Sequence, residues 1–146
     1  MTPDWLVTGR PKLAIALLAL AGLSILMLLY EGSRAPADLG LPSFRGLDKL
    51  LHFGAHFWVS SLMFAGLILF GRPAGLRPRV WLAAAAVLLV DGLSGLMVEL
   101  VQAHIATGRT FDWFDLAANL AGTCVALAAG VPAVRRMGRA AGAEFR

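Results

Sequence analysis

Asp48, His52 and His56 recur at a spacing of four, and each carries a side chain able to exchange a proton or bind a cation. Asp91, Gly95, Glu99 and Gln102 make a second such series, and Asp112, Asp115, Asn119 and Gly122 a third. Lys49 adjoins the first series and Arg109 precedes the third. Residues three or four apart share one face of a helix, so each series predicts a polar stripe down one helix. The chemistry open to such a collection is limited to a few kinds. Histidine beside carboxylates can act as acid or base near neutral pH, and lysine and arginine can hold an anion. The pair His52 and His56 resembles half of a metal site, which Glu99 could extend.

The elements that must position these residues are set by hydropathy. Hydrophobic residues make up 58% of the chain, charged residues 15%, and mean hydropathy is +0.72 over 146 residues. The apolar residues are collected in long runs, and run length decides which solvent a helix meets. Leu13 to Tyr30, Leu50 to Gly71 and Leu116 to Val134 carry no Asp, Glu, Lys or Arg, and Val80 to Val98 carries only Asp91. The expected fold is an all-α integral membrane bundle of four transmembrane helices in a single domain, 1–146, with spans near 13–30, 50–71, 80–102 and 113–134.

Lys and Arg near span ends are retained in the cytoplasm. Arg10, Lys12, Arg72, Arg77, Arg79, Arg135, Arg136, Arg139 and Arg146 fall on one side of that bundle, against Arg34, Arg45, Lys49 and Arg109 on the other. Both termini are therefore expected inside, with the polar series towards the outer ends of helices two to four. The net charge of +4 is accounted for by attraction to anionic lipid headgroups, and no nucleic-acid partner is implied. Ser33-Arg34-Ala35 loosely resembles a signal cleavage site, but the run before it exceeds the usual signal core, so the first span is expected to stay. Cys124 is the one cysteine, which excludes an intramolecular disulfide and a cysteine metal cluster and leaves a packing role. Gly32 to Leu47, with Pro36, Gly40, Pro42 and Gly46, reads as an irregular outer loop.

At a rise of about 1.5 Å per residue, Asp48, Gln102 and Asp112 would lie near the outer interface and His56 and Asn119 roughly 10 to 12 Å deeper. The three stripes can then face one another in a funnel opening outward. Each member also has a plainer reading. Asp48 and Lys49 suit an interface, Asn119 suits interhelical hydrogen bonding, and Ala83–Ala86 with Gly92 and Gly95 suit close helix packing. Asp91 near mid-membrane is expected to be protonated or hydrogen-bonded to Ser60 or Thr123, with a proton relay as the alternative. Ser60 and Ser61 lie too deep to serve as nucleophiles at the funnel mouth.

Asp48-Lys49-Leu50-Leu51-His52-Phe53, then Glu99-Leu100-Val101-Gln102, then Arg109 with Asp115, Asn119 and Gly122, resemble the VanZ-like family of bacterial membrane proteins. The likeness covers about half the chain, from Asp48 to Gly122, and rests on the order and spacing of all three blocks. Many relatives carry tyrosine where this chain has His56, and an acidic residue often stands where Asp112 does. The resemblance implies a bacterial plasma-membrane protein with a polar site facing outward and a link to susceptibility to teicoplanin-type glycopeptides. It supplies no biochemical activity. The expected site comprises Asp48, Lys49, His52, Glu99, Gln102, Arg109, Asp115 and Asn119, with no cofactor. In it Lys49 and Arg109 would hold the phosphate or carboxylate of an anionic lipid or envelope precursor. Glu99 and Asp115 would orient those cations and His52 would serve as acid or base. The alternatives are a non-catalytic binding or assembly protein tied by a charge network, and proton or metal transport with His52, His56 and Glu99 as the metal ligands.

Overall fold

The computed structural model describes residues 10–34, 46–70, 76–106 and 110–140, with side chains from 79 onward in the third segment and up to 139 in the fourth. These form four helices: α1 (Pro11–Gly32), α2 (Leu47–Phe70), α3 (Leu76–His104) and α4 (Trp113–Ala140). All four are long and apolar enough to cross a membrane, α3 over Arg79–His104 and α4 over Trp113–Arg139. The helices outrun the apolar stretches that announce them. Hydropathy marks where side chains suit lipid, whereas a helix continues until its backbone hydrogen bonds stop. Asp48 and Lys49 thus lie in the first turn of α2 and Arg135, Arg136 and Arg139 on the last turns of α4, while Gly71, assigned to the second span, lies outside the described residues.

The distribution of side chains is inverted relative to a water-soluble bundle. Leu23, Leu26, Leu82, Leu89, Trp113 and Phe114 are exposed on the perimeter, whereas His56, Asp91, Glu99, Asn119 and Thr123 are almost wholly buried. Such a perimeter suits hydrocarbon, where there is no penalty for exposing leucine. Two hydroxyls on it bond their own helix, Ser24 to the Leu20 carbonyl and Ser61 to the Phe57 carbonyl, so neither is left bare. Cys124 is exposed there as well, so the packing role expected of it lies on the perimeter and not in the bundle interior.

Packing divides the bundle lengthwise. Val59, Leu62, Met63, Phe64, Ile68, Val80, Ala83, Val87, Val131 and Val134 form an apolar core at one end, and the buried polar residues fill the other. At the apolar end the Arg79 guanidinium donates to the Leu67 and Ile68 carbonyls in the last turn of α2, meeting acceptors that the helix leaves open. Small residues decide how closely the helices cross. A Cβ on Gly122 of α4 would overlap the Phe53 carbonyl oxygen of α2 and lie 2.9 Å from the Phe57 nitrogen, so only glycine permits this approach of two backbones. On α3, Ala83, Ala84 and Gly95 face inward as the small-residue reading requires, but Ala85 and Ala86 are exposed.

Candidate functional site

The polar end is built from the first half of α2, the last half of α3 and the start of α4. Gly46, at φ 87, makes the turn that opens α2, and the following turn carries Asp48, whose charge suits the positive end of the helix. One and two turns further on, His52 and His56 point into the bundle, both buried. Asp112 stands just before α4, and its Oδ1 accepts from the Phe114 backbone N–H at 2.8 Å, an N-cap that fixes where the helix begins. Asp115 and Asn119 then fall on the face turned towards α2.

Lys49 joins α2 to α4. Its Nζ lies 2.8 Å from Asp112 Oδ2 and 2.8 Å from Asp115 Oδ1. Asp112, outside the spanning segments, is held below the ordinary carboxylate value by the Lys49 ammonium and by the Phe114 N–H. Asp115, expected to orient a cation, thus lies against the Lys49 ammonium. Glu99 sits elsewhere, its Oε2 accepting from the Asp112 backbone N–H at 3.3 Å, so it supports the start of α4 instead of facing Lys49.

His52 lies at the centre. Its Nδ1 is 2.9 Å from Asn119 Oδ1 and 3.6 Å from Glu99 Oε1. Its Nε2 is 3.7 Å from Asp48 Oδ1 and 3.8 Å from Asp115 Oδ2, beyond hydrogen-bonding distance of either. Asn119 Nδ2 is 3.5 Å from the Gly95 carbonyl, which turns the amide oxygen towards the ring. An amide oxygen only accepts, so His52 carries a proton on Nδ1 and presents Nε2 between two carboxylates. Glu99 Oε1 is buried and has no hydrogen-bond donor among the described residues.

One turn deeper is a closed network. Asp91 Oδ1 accepts from His56 Nδ1 at 3.0 Å and from Ser94 Oγ at 3.0 Å, and Oδ2 accepts from Ser60 Oγ at 2.5 Å and Thr123 Oγ1 at 2.8 Å. The expected Ser60 and Thr123 partners are present together. The His56 contact was hidden from the sequence, which grouped His56 with His52 and Glu99 as metal ligands. In the structure His56 turns to Asp91, and the group whose ligand atoms all lie within 4.8 Å of one another is Asp48, His52 and Asp115.

Beside these groups a cavity of about 350 Å³ opens between α1, α2 and α3. Leu28, Leu51, Ala55 and Val98 supply its apolar wall, and Glu31, Asp48, His52, His56 and Gln102 its polar one. Gln102 lines this cavity, which is bounded by α1 and not by α4 as the expected funnel was, and Glu31 joins it from α1, a helix whose sequence gave no polar stripe. His52, Glu99, Asp115, Asn119, Asp48 and Lys49 converge on one region. Arg109 lies outside the described residues. Among those described, no serine, threonine or cysteine is hydrogen-bonded to the His52 or His56 ring, and the Ser60 and Thr123 hydroxyls bond Asp91.

Compared with known proteins, the chain matches no family model, no curated protein and no solved structure.

Proposed function

We propose that this chain is a VanZ-like protein of a bacterial plasma membrane that recognises an amphiphile of the cell envelope, taking its polar head into the α1–α2–α3 cavity while its hydrocarbon stays in the bilayer. The observation that carries this reading is the two-sided cavity wall, apolar along Leu28, Leu51, Ala55 and Val98 and polar along Asp48, His52, His56 and Gln102. Ligand sites are of this kind, mostly apolar with a few convergent polar groups that fix orientation. Lys49, already shared between Asp112 and Asp115, acts in this reading as an organiser of carboxylates, with Arg109 as the further cation that the family resemblance brings to the same end. Proton exchange falls to His56, whose Nδ1 is backed by Asp91.

The polar end faces outward in this proposal, because the Lys and Arg excess lies at the other ends of the helices. A cysteine at Ser43 in a Cys124→Ser background should react with an impermeant reagent from outside, and one at Gly75 should not. For recognition itself, native mass spectrometry of the detergent-extracted protein, titrated with phosphatidylglycerol, should show a retained lipid that Ala55→Trp removes by filling the cavity. Equal retention in Ala55→Trp would rule the cavity out. Glycopeptide susceptibility of an expressing strain, with and without the same variant, tests the link to teicoplanin-type compounds.

The closed Asp91 network favours a second, non-catalytic reading, in which the buried polar groups only tie α2, α3 and α4 together. Every oxygen of Asp91 is satisfied within it, as a structural tie requires.

A further inference from the structure

His52 Nε2 is the least expected atom of the polar end. The ring is 8% exposed, its Nδ1 lies 2.9 Å from Asn119 Oδ1, and its Nε2 lies between Asp48 and Asp115 without a hydrogen bond among the described residues. Two carboxylate oxygens converging on one ring nitrogen at 3.7 Å and 3.8 Å, too far for a hydrogen bond to either, call for a positive centre among the three atoms. Lys49 is not that centre. It sits on the far oxygen of Asp115, 2.8 Å from Oδ1, and leaves Oδ2 turned towards the ring.

We propose that Asp48 Oδ1, His52 Nε2 and Asp115 Oδ2 hold a divalent transition-metal cation of the Zn²⁺ or Mn²⁺ class, with open coordination positions towards the cavity. Nitrogen and oxygen ligands sit at about 2.0–2.2 Å from such an ion, which separates neighbouring ligand atoms by roughly 3.0 to 3.6 Å. The observed 3.7 Å and 3.8 Å need to close by only a few tenths of an ångström. One imidazole with two carboxylates suits these ions better than the all-oxygen shells of calcium and magnesium. The surroundings also have the form such ligands take. A metal-binding histidine donates its other N–H to a fixed acceptor, here Asn119, and a metal-binding carboxylate is held by a further partner, here Lys49 on Asp115. The buried Glu99 Oε1, without a donor among the described residues and 3.6 Å from His52 Nδ1, sets a further carboxyl group beside the site.

The cation also defines the head that the cavity takes. Asp48 and His52 line that cavity together with Glu31, which pairs with Arg34 at 3.1 Å, so Asp48 is the carboxylate that would repel a bare anion. A divalent ion bound there cancels the charge of the Asp48 and Asp115 carboxylates and offers its open positions to phosphate oxygens, so the ligand class is a phosphate-bearing amphiphile. This last step rests on the recognition reading above, whereas the metal site stands on its own geometry.

The full-length protein, stripped with EDTA in detergent, should bind one Zn²⁺ per chain by calorimetry, without any lipid present. Asp48→Asn, at a side chain half exposed and therefore safe for folding, should weaken binding at least tenfold. Asn119→Ala, which keeps all three ligands but frees the ring, should weaken it by about 10- to 100-fold. Mn²⁺ bound to the wild type should show a protein-bound electron paramagnetic resonance signal that Zn²⁺ displaces. Equal Zn²⁺ affinity in wild type and Asp48→Asn would overturn the site. So would nitrogen NMR showing His52 protonated on both nitrogens at saturating Zn²⁺, because an imidazolium would then be the positive centre. Phosphatidylglycerol retained over phosphatidylcholine only in the Zn²⁺-loaded protein supports the phosphate bridge. Zn²⁺ binding with no such lipid preference leaves the metal site in place and overturns the bridge.

Discussion

Gly122 of α4 and Phe53 of α2 bring their backbones into contact, so closely that a single methyl group on the glycine would overlap the phenylalanine carbonyl oxygen. Phe53 follows His52 in the chain and Gly122 lies one turn beyond Asn119, so this contact sets the separation between the His52 ring and the amide that orients it. The hydrogen bond between them, at 2.9 Å, follows from that crossing.

Gly122→Ala should therefore lower stability by about 1–3 kcal/mol, the usual range for forcing an extra methyl group into a packed interface. Gly54 provides the control on α2, since a Cβ there meets nothing within 4 Å. Gly54→Ala should be neutral or stabilise by up to about 1 kcal/mol through helix propensity. Thermal unfolding of both variants in the same detergent checks this, and equal stability of the two would contradict the close crossing.

Asp91→Leu should destabilise by about 2–5 kcal/mol, because it leaves buried donors without acceptors. The loss is specific in origin. Ser94 and Thr123 keep backbone acceptors at the residue 91 carbonyl, 2.8 Å away, and the Asn119 carbonyl, 3.2 Å away, while Ser60 and His56 lose theirs. Asp91→Asn should recover most of the stability, since the Ser60 and Thr123 hydroxyls can reverse and accept from the amide. A loss in Asp91→Asn as large as in Asp91→Leu would show that the charge of Asp91, and not its hydrogen bonding, holds the network.

The pH dependence of the Lys49 tie has a definite sign. The folded-state value of Asp112 lies below the ordinary 3.8, chiefly through its bond to the Lys49 ammonium. Its contribution to stability is then fully present above 3.8 and is lost as pH falls through the lowered folded value. Asp112→Asn keeps an oxygen for the Phe114 N–H but removes the charge. The difference in melting temperature between wild type and Asp112→Asn should be constant from neutral pH down to about 5 and shrink towards zero in stronger acid. It should also be small and reduced by salt, because both partners are more than a third exposed. A difference that grows on acidification would contradict the pairing.

The helices themselves were legible because lipid imposes a length test that Leu13–Tyr30, Leu50–Gly71 and Leu116–Val134 each pass. The inward stripes were legible too, since the spacings from Asp48 to His56, Asp91 to Gln102 and Asp115 to Gly122 all follow the helical repeat. What the spacing does not contain is how far one helix is displaced along another. That displacement decides that His56 meets Asp91 and that His52 meets Asn119, and it is set by glycine contacts such as Gly122 on Phe53. Asp112 as a second partner of Lys49 and as the cap of α4 was similarly hidden, because a cap depends on where the helix actually starts. Glu31 was missed because the first span carries no recurring polar series to draw attention to its last turn.

The lengthwise division of the bundle gives the two halves separate fates under substitution. Leu62, Met63, Ile68, Val87 and Val134 can be exchanged for one another's volumes, as laboratory repacking or natural drift would do, several turns away from His52. The backbone crossing at Gly122 stands between those changes and the histidine, so they should register as altered melting without altered ligand geometry. The chain thus offers a scaffold whose durability can be tuned from one end while its chemistry is held constant at the other.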